Sequence, residues 1–207
     1  MIGHRSHVSA LRAPDEPVVA ANKEELRHRA RLVRDAIPTE RRSHAADSAA
    51  GHLVELPGLA AARRVAMFAA VGSELDPAAA VLRLRARGVE IVYPRVVRGA
   101  RRLDFHLVTG DGELAPGAFG IPEPAPGAPV APVHSIDAFV VPGLAFDAAG
   151  GRVGWGRGYY DRTLAASPER LRIGYCFDCQ LVGEVPLEPC DLPMHLVVTE
   201  SGVLVPS

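Results

Sequence analysis

One short stretch of the chain, residues 150–162, combines residue types that suit the binding of a phosphorylated ligand. It reads GGRVGWGRGYYDR and closely follows the apolar run AFVVPGLAF. Three of its glycines recur at alternate positions: Gly154, Gly156 and Gly158. Glycine lets a ligand approach backbone N–H groups closely. Arg152 and Arg157 add positive charge and forked hydrogen bonds, so we predict an anion-binding loop.

Aromatic and acidic residues in the same stretch extend this prediction to a metal-bound nucleotide beside a flat ligand. Trp155, Tyr159 and Tyr160 can stack on a planar ring, and Asp161 can hold a divalent cation that bridges phosphates. The stretch lacks the Gly-Lys-Ser/Thr ending of a Walker A loop, and it lacks the βαβ context of a Rossmann fingerprint. The alternative interpretation is a glycine-rich turn with solvated arginines.

The elements around this stretch predict an α/β fold. Strands are predicted at 65–70, 89–93, 103–108, 137–141, 171–175 and 195–199, and helices at 21–37, 40–55, 77–88 and 159–166. The order from 65 to 93 is strand, helix, strand, which implies parallel pairing through a right-handed crossover. We therefore predict a single three-layer α/β/α domain with a mostly parallel, Rossmann-like sheet, preceded by an N-terminal helical arm. The glycine-rich stretch then lies beyond the carboxyl end of strand 137–141, where such sheets bind ligands.

Domain boundaries follow from composition and pattern. Residues 1–20 are predicted to be a flexible N-terminal tail, and residues 21–207 a single domain. The segment from Gly110 to Pro132 is rich in glycine, proline and alanine. It is long for a loop in a compact domain, so we expect it to be mobile or to face the substrate.

The overall composition excludes several classes of protein. The chain has 207 residues, a net charge of −1 and three cysteines, which indicates neither general affinity for polyanions nor a disulfide framework. No apolar run is long enough to span a bilayer, and the first twenty residues lack a signal-peptide pattern. We expect a cytoplasmic protein with no membrane and no nucleic-acid partner. The sequence does not indicate its oligomeric state.

The first predicted helix is amphipathic, with a cationic side. Its apolar face consists of Leu26, Ala30, Val33 and Ile37, and its basic stripe of Lys23, Arg27, Arg31 and Arg34. A solvated helix face is the ordinary interpretation of such a stripe, and we expect Arg31 and Arg34 to be solvated. RNA binding is a second alternative, although the near-zero net charge argues against it.

Cysteine spacing offers one further alternative. Cys176, Cys179, Cys190 and His195 supply four ligands suited to zinc, but the last two lack the compact spacing of a second ligand pair. Buried, independent thiols are the favoured interpretation.

The segment PGLAFDAAGGRVGWGRGYYDRTLA at 142–165 resembles the signature of the 5-formyltetrahydrofolate cyclo-ligase family, also called 5,10-methenyltetrahydrofolate synthetases. Shorter matches follow the family order: KEELR at 23–27, SELDP at 73–77, VYPRV at 92–96, IGYCFDCQ at 173–180 and PLEPCDLPMHLVVTE at 186–200. The resemblance covers about residues 21–200. It implies an enzyme that uses ATP and Mg²⁺ to convert 5-formyltetrahydrofolate into 5,10-methenyltetrahydrofolate, ADP and phosphate through a phosphorylated formyl intermediate.

The resemblance also implies roles for individual residues. ATP is expected to contact Lys23, Arg27, Arg152, Gly154, Gly156, Arg157, Gly158, Tyr159 and Tyr160. The folate is expected to contact Ala69, Glu74, Trp155, Gly156, Arg157, Gly158 and Tyr159. Asp161 and Asp191 are the expected Mg²⁺ ligands, and Arg157 and Tyr160 the expected catalytic residues.

Two departures from the family pattern stand beside these roles. Cys190 occupies a position that is often histidine in the family, and Pro77 one that is often threonine.

Two alternative functions would use the same nucleotide site. The chain could be a paralogue that acts on another small molecule, or a nucleotide-binding regulator without turnover.

Overall fold

The computed structural model describes residues 23–206, and an eight-stranded sheet lies at its centre. The helices are α1 Lys23–Asp35, α2 Thr39–Val54, α3 Ala78–Ala86 and α4 Tyr159–Leu164. The first six strands are β1 Arg64–Ala66, β2 Glu90–Val97, β3 Arg102–Leu107, β4 Leu114–Pro116, β5 Pro122–Pro124 and β6 Val130–Ala131. The others are β7 Ala138–Pro142, β8 Ala145–Phe146, β9 Arg152–Val153, β10 Leu171–Tyr175, β11 Leu196–Val198 and β12 Val203–Leu204.

The sheet is mostly parallel, as predicted. Its strand order is β12-β11-β10-β7-β1-β2-β3-β6, and the five strands from β11 to β2 pair in parallel. Antiparallel pairs add β12 at one edge and β3 with β6 at the other. The predicted βαβ unit is confirmed, because α3 connects β1 to the parallel strand β2, with Val65 opposite Ile91.

Both faces of the sheet are covered, since successive residues of a strand point to opposite sides. In β7, Val140 packs with buried residues of α2 and α3, while Phe139 and Val141 pack on the other side with Leu164 of α4. In β1, Val65 packs on the side of α2 and α3, and Ala66 packs on the side of α4. This arrangement confirms the three-layer α/β/α prediction.

Helix α1 is the predicted helical arm, and it packs outside these layers. Leu26 and Ala30 are buried against Leu144, Val153 and other residues around β8 and β9. The predicted buried face was partly wrong. Arg34 completes the buried face at 3% exposure, whereas Val33 is 50% exposed. Residues four apart lie on one side of a helix, so Arg34 follows Leu26 and Ala30 into the interior.

Several boundaries differ from the prediction. Strand β1 ends at Ala66, while β2 continues through Pro94 to Val97. Beyond Val92, β2 pairs only with β3 in the described sheet, so a proline is tolerated there. The predicted loop from Gly110 to Pro132 contains the β4–β5 hairpin and β6. Such two- and three-residue strands are too short to produce a recognisable period.

The predicted tail at 1–20 lies outside the described residues, so the boundary between the tail and the domain at 21–207 stays a prediction. Among residues 23–206, none of the helices combines the length and apolar character needed to cross a membrane.

Two leucines of α3 provide a matched test of this packing. Leu84 is 1% exposed in the core, while Leu82 on the same helix is 59% exposed. We expect Leu84→Ala to lower the free energy of unfolding by about 2–5 kcal/mol, because it leaves a cavity. Leu82→Ala should change it by less than about 1 kcal/mol. Equal effects in urea-induced unfolding of the two variants would contradict the packing described.

Candidate functional site

A cavity of about 820 Å³ opens at the carboxyl ends of β1 and β7. The chain continues from β1 to β2 on one side, whereas β7 lies on the other, so the strand order reverses here. Ligands bind at such switch points in open α/β sheets. Every residue assigned from the sequence lines this cavity: Lys23, Arg27, Ala69, Glu74, Arg152, Gly154, Trp155, Gly156, Arg157, Gly158, Tyr159, Tyr160, Asp161 and Asp191. The individual roles of these residues stay predictions.

The glycine-rich stretch contains the second strand of the β8–β9 hairpin, followed by a loop that leads into α4. Asp147 holds the hairpin turn together. Its buried carboxylate accepts hydrogen bonds from the backbone N–H of Gly151 at 2.7 Å, of Ala149 at 3.0 Å and of Val185 at 2.8 Å. A Cβ on Gly151 would lie 2.6 Å from this carboxylate, so glycine is required there. Sequence reasoning missed Asp147, although an acid three residues before a Gly-Gly pair is a turn signal.

Arg27 of α1 attaches the helical arm to the glycine loop. Its Nε donates a hydrogen bond of 2.9 Å to the carbonyl oxygen of Gly154. Gly156 has φ +83°, and a Cβ there would lie 3.2 Å from the Arg27 guanidinium carbon. Arg27 thus positions the loop as well as lining the cavity.

Lys23 and Asp191 form an ion pair at the cavity wall between segments 168 residues apart in the chain. The Lys23 Nζ lies 2.5 Å from Asp191 Oδ2 and 3.0 Å from Glu188 Oε1. Burial lowers the pKa of Lys23, but the hydrogen bonds and charges of the two carboxylates outweigh it and raise the pKa overall. Asp191 also accepts a hydrogen bond of 2.7 Å from the backbone N–H of Glu188.

Asp161 forms the second ion pair of the cavity. Arg152 Nη2 donates to both carboxylate oxygens of Asp161 at 2.9 Å. Arg152 is only 9% exposed, and its Nε is buried with no hydrogen-bond partner in the part of the chain described. Each carboxylate predicted to bind a metal is therefore paired with a cation predicted to bind phosphate.

Glu74 lines the cavity from the loop that follows β1. Its Oε2 accepts a hydrogen bond of 3.0 Å from the backbone N–H of Val71, and its Oε1 lies 3.8 Å from Arg34 Nη1. Burial raises the pKa of Glu74, while Val71, Arg34 and the side chain of Trp155 oppose this rise. The expectation that Arg34 is solvated was wrong, because its guanidinium compensates this buried acid.

The two predicted catalytic residues differ in their surroundings. Burial raises the pKa of the Tyr160 hydroxyl, so this group stays protonated at neutral pH and can donate a hydrogen bond. Arg157 is exposed, and its guanidinium carbon lies 4.0 Å from the centre of the Phe119 ring. Such a cation–π contact fixes a flexible side chain at the cavity mouth.

Sequence reasoning missed the cavity residues of the β4–β5 hairpin, namely Phe119, Ile121 and Glu123. Glu123 is 5% exposed and accepts a hydrogen bond of 3.1 Å from the backbone N–H of Val96 in β2. The prediction that the segment from Gly110 to Pro132 faces the substrate was the available signal, but only the tertiary contacts identify which side chains reach the cavity.

The alternative interpretations find little support. Residues 23–206 contain no cluster of three or more histidine, cysteine or acidic side chains able to hold a metal, so the four zinc candidates are not brought together. Cys176 is buried, but Cys179 and Cys190 are exposed, which corrects the expectation of buried thiols. Arg27 bonds to Gly154 and Arg34 is buried, so the basic stripe is not a continuous exposed surface for RNA.

Comparison with known proteins gives a consistent result. The family model described as the 5-formyltetrahydrofolate cyclo-ligase family matches residues 19–200. The 5-formyltetrahydrofolate cyclo-ligase of Escherichia coli K12 is 32% identical over 177 residues, which cover 82% of this chain and 96% of the relative. The enzyme of the same name from Mycolicibacterium smegmatis is 32% identical over 192 residues, covering 88% and 96%.

Solved structures agree with these relatives. The NMR structure of Aquifex aeolicus 5,10-methenyltetrahydrofolate synthetase has a TM-score of 0.76 and 30% identity, and the match covers 88% of this chain and 92% of that one. The synthetase from Mycoplasma pneumoniae shares the fold, with a TM-score of 0.71 at 21% identity over 86% of this chain and 98% of that one. The chain thus belongs to the 5-formyltetrahydrofolate cyclo-ligase family.

Proposed function

We propose that this protein converts 5-formyltetrahydrofolate into 5,10-methenyltetrahydrofolate and consumes ATP in a Mg²⁺-dependent reaction. The observation that carries the proposal is the content of one cavity. It places the paired carboxylates of Asp161 and Asp191, five cationic side chains and Glu74 around about 820 Å³ at the switch point of the sheet. Membership of the family supplies the identity of the substrate.

The reaction needs activation because a formamide oxygen is a poor leaving group. The formyl oxygen attacks the γ-phosphorus of ATP, and ADP leaves with the electrons of the broken P–O bond. The N10 nitrogen of the folate then attacks the activated formyl carbon and loses its proton to solvent, and phosphate leaves with the electrons of the broken C–O bond as the ring closes. Positioning and charge neutralisation carry most of the catalysis in phosphoryl transfer, so the protein's task is to align the two ligands.

The cavity side chains fit a nucleotide and a metal. The buried Nε of Arg152 has no hydrogen-bond partner among residues 23–206, so a donor remains available for a phosphate oxygen. Lys23, Arg27 and Arg157 would bind further phosphate oxygens, together with the backbone of Gly154, Gly156 and Gly158. Asp161 and Asp191 would hold Mg²⁺, which prefers oxygen ligands and neutralises phosphate charge when bound.

The two predicted catalytic residues act on the transferred phosphoryl group. Arg157 would stabilise the negative charge that develops on its oxygens, since a guanidinium forms two parallel hydrogen bonds to phosphate. Tyr160 would donate its hydroxyl proton in a hydrogen bond, since a tyrosine hydroxyl is protonated at neutral pH and burial raises its pKa further. Phe119 limits the movement of Arg157 through the contact of 4.0 Å described above.

The folate is proposed to lie between Ala69, Glu74 and the aromatic side chains of Trp155 and Tyr159. Glu74 would accept hydrogen bonds from polar atoms of the pterin ring.

We also place the protein in the cytoplasm, because its near-neutral charge and its three unpaired cysteines are typical of cytoplasmic enzymes. We propose that residues 21–207 form one domain.

The activity itself is directly testable. We expect the purified protein, mixed with Mg-ATP and 5-formyltetrahydrofolate, to generate the absorbance of the methenyl product, and omission of ATP to abolish it. Formation of product should be matched by equal release of phosphate. Absence of product under conditions in which ATP binds would favour a regulator or a paralogue with another substrate.

Substitutions of Asp161 and Arg157 test the roles proposed for them, binding of the metal and stabilisation of the transferred phosphoryl group. We expect Asp161→Asn and Arg157→Ala each to lower kcat/KM by about 100-fold or more, as for loss of a charge-stabilising group. Arg157 is exposed, so its variant should unfold at the same urea concentration as the unmodified protein. The activity of Asp161→Asn should also require more Mg²⁺. Near-normal turnover in either variant, measured by the methenyl assay, would refute the assigned role.

A further inference from the structure

Arg34 is a buried cation that the proposed reaction does not use. It is 3% exposed, although it lies on a helix whose other arginines, apart from Arg27, face the surface. Its Nε donates a hydrogen bond of 3.0 Å to the hydroxyl of Ser73, and that hydroxyl in turn donates to the carboxylate of Asp35. Burying a guanidinium is costly unless its surroundings compensate the charge, so its position calls for a physical reason.

The group that needs this charge is Glu74. Arg34 Nη1 lies 3.8 Å from Glu74 Oε1, and Nη1 is buried with no hydrogen-bond partner in the described part of the chain. Both partners of this pair are almost inaccessible, with side-chain exposures of 4% and 9%. In such surroundings an opposite charge at this distance strongly favours the ionised form of a carboxyl group.

Trp155 connects the same pair to the glycine loop. Its ring lies 5.9 Å from the guanidinium carbon of Arg34, and its side chain also favours the ionised form of Glu74. Trp155 is the one tryptophan of the chain. The four residues Arg34, Ser73, Glu74 and Trp155 form what we call the Glu74 cluster.

We propose that Arg34 is a positioning residue, which keeps the Glu74 carboxylate ionised and directed at the cavity so that it can accept hydrogen bonds from a ligand ring. Arg34 is not among the residues that line the cavity, so it acts on the ligand site through Glu74. The part concerning the folate rests on the proposed function, whereas the effect of Arg34 on Glu74 does not.

The other charged and titratable groups that face this pair are few. They are Arg31 and Asp35 of α1, Tyr160 of α4 and Cys179. Arg31 is exposed and also lies over the Trp155 ring, at 5.2 Å. Arg34 is the cation that contacts Glu74 directly, so its removal should dominate any change in the ionisation of that carboxyl.

The ligand-free protein provides the first test. The fluorescence of Trp155 should follow the titration of Glu74, and Glu74→Gln should abolish that transition. We expect Arg34→Gln to raise the midpoint by about one to three pH units, because a neighbouring cation shifts the pKa of a carboxyl by this amount. Arg34→Lys keeps the positive charge, so its midpoint should stay near that of the unmodified protein. This variant also provides a comparison if Arg34→Gln fails to fold. Arg29→Gln, at an exposed position of the same helix, is the matched control.

An unchanged midpoint in Arg34→Gln would overturn the proposal, as would an equal shift in Arg29→Gln. The second test measures binding of 5-formyltetrahydrofolate by calorimetry. We expect Arg34→Gln to weaken it about tenfold at neutral pH, and higher pH to restore it as Glu74 ionises. A loss of affinity that is the same at every pH would show a packing role and refute positioning. Failure of the unmodified protein to bind this folate would contradict the proposed function while leaving the fluorescence result intact.

Discussion

The contact between α1 and the β8–β9 hairpin is the constraint on which the candidate site depends. Leu26 and Ala30 bury their side chains against Leu144 and Val153, and Arg27 bonds to the Gly154 carbonyl. This packing positions the glycine loop through the Arg27 hydrogen bond, and it brings Lys23 to Asp191. Without the arm, the hairpin would expose its apolar side and the cavity would lose Lys23 and Arg27.

Charge compensation is the second principle of the site. The carboxylates proposed to hold the metal are paired with cations proposed to hold phosphate, so neither set is buried unpaired in the ligand-free chain. A nucleotide with its metal supplies both partners at once, and can exchange these internal ion pairs without leaving a buried charge uncompensated. Arg34 and Glu74 follow the same rule, although only Glu74 is among the residues that line the cavity.

Much of the fold could be predicted because each element has a local signal. The strand Leu171–Tyr175 and the unit from β1 through α3 to β2 follow from apolar runs, proline and glycine positions and chain order. The short strands β4, β5, β8 and β9 could not be predicted in this way. Strand β4 pairs with β5, and β8 pairs with β9. A segment of two or three residues is too short to show the alternation of apolar and polar residues that indicates a strand.

The sequence by itself determined the chemistry of this protein: a glycine-rich, arginine-rich and aromatic loop next to an aspartate, and a family whose other motifs recur in order. Only the tertiary structure decided which side chains contact one another. It showed that Arg34 is buried against Glu74, that Asp147 clamps the hairpin turn, and that Phe119 contacts Arg157. Residue types and local periods are properties of neighbouring positions, whereas burial and charge pairing depend on segments that folding brings together from distant parts of the chain.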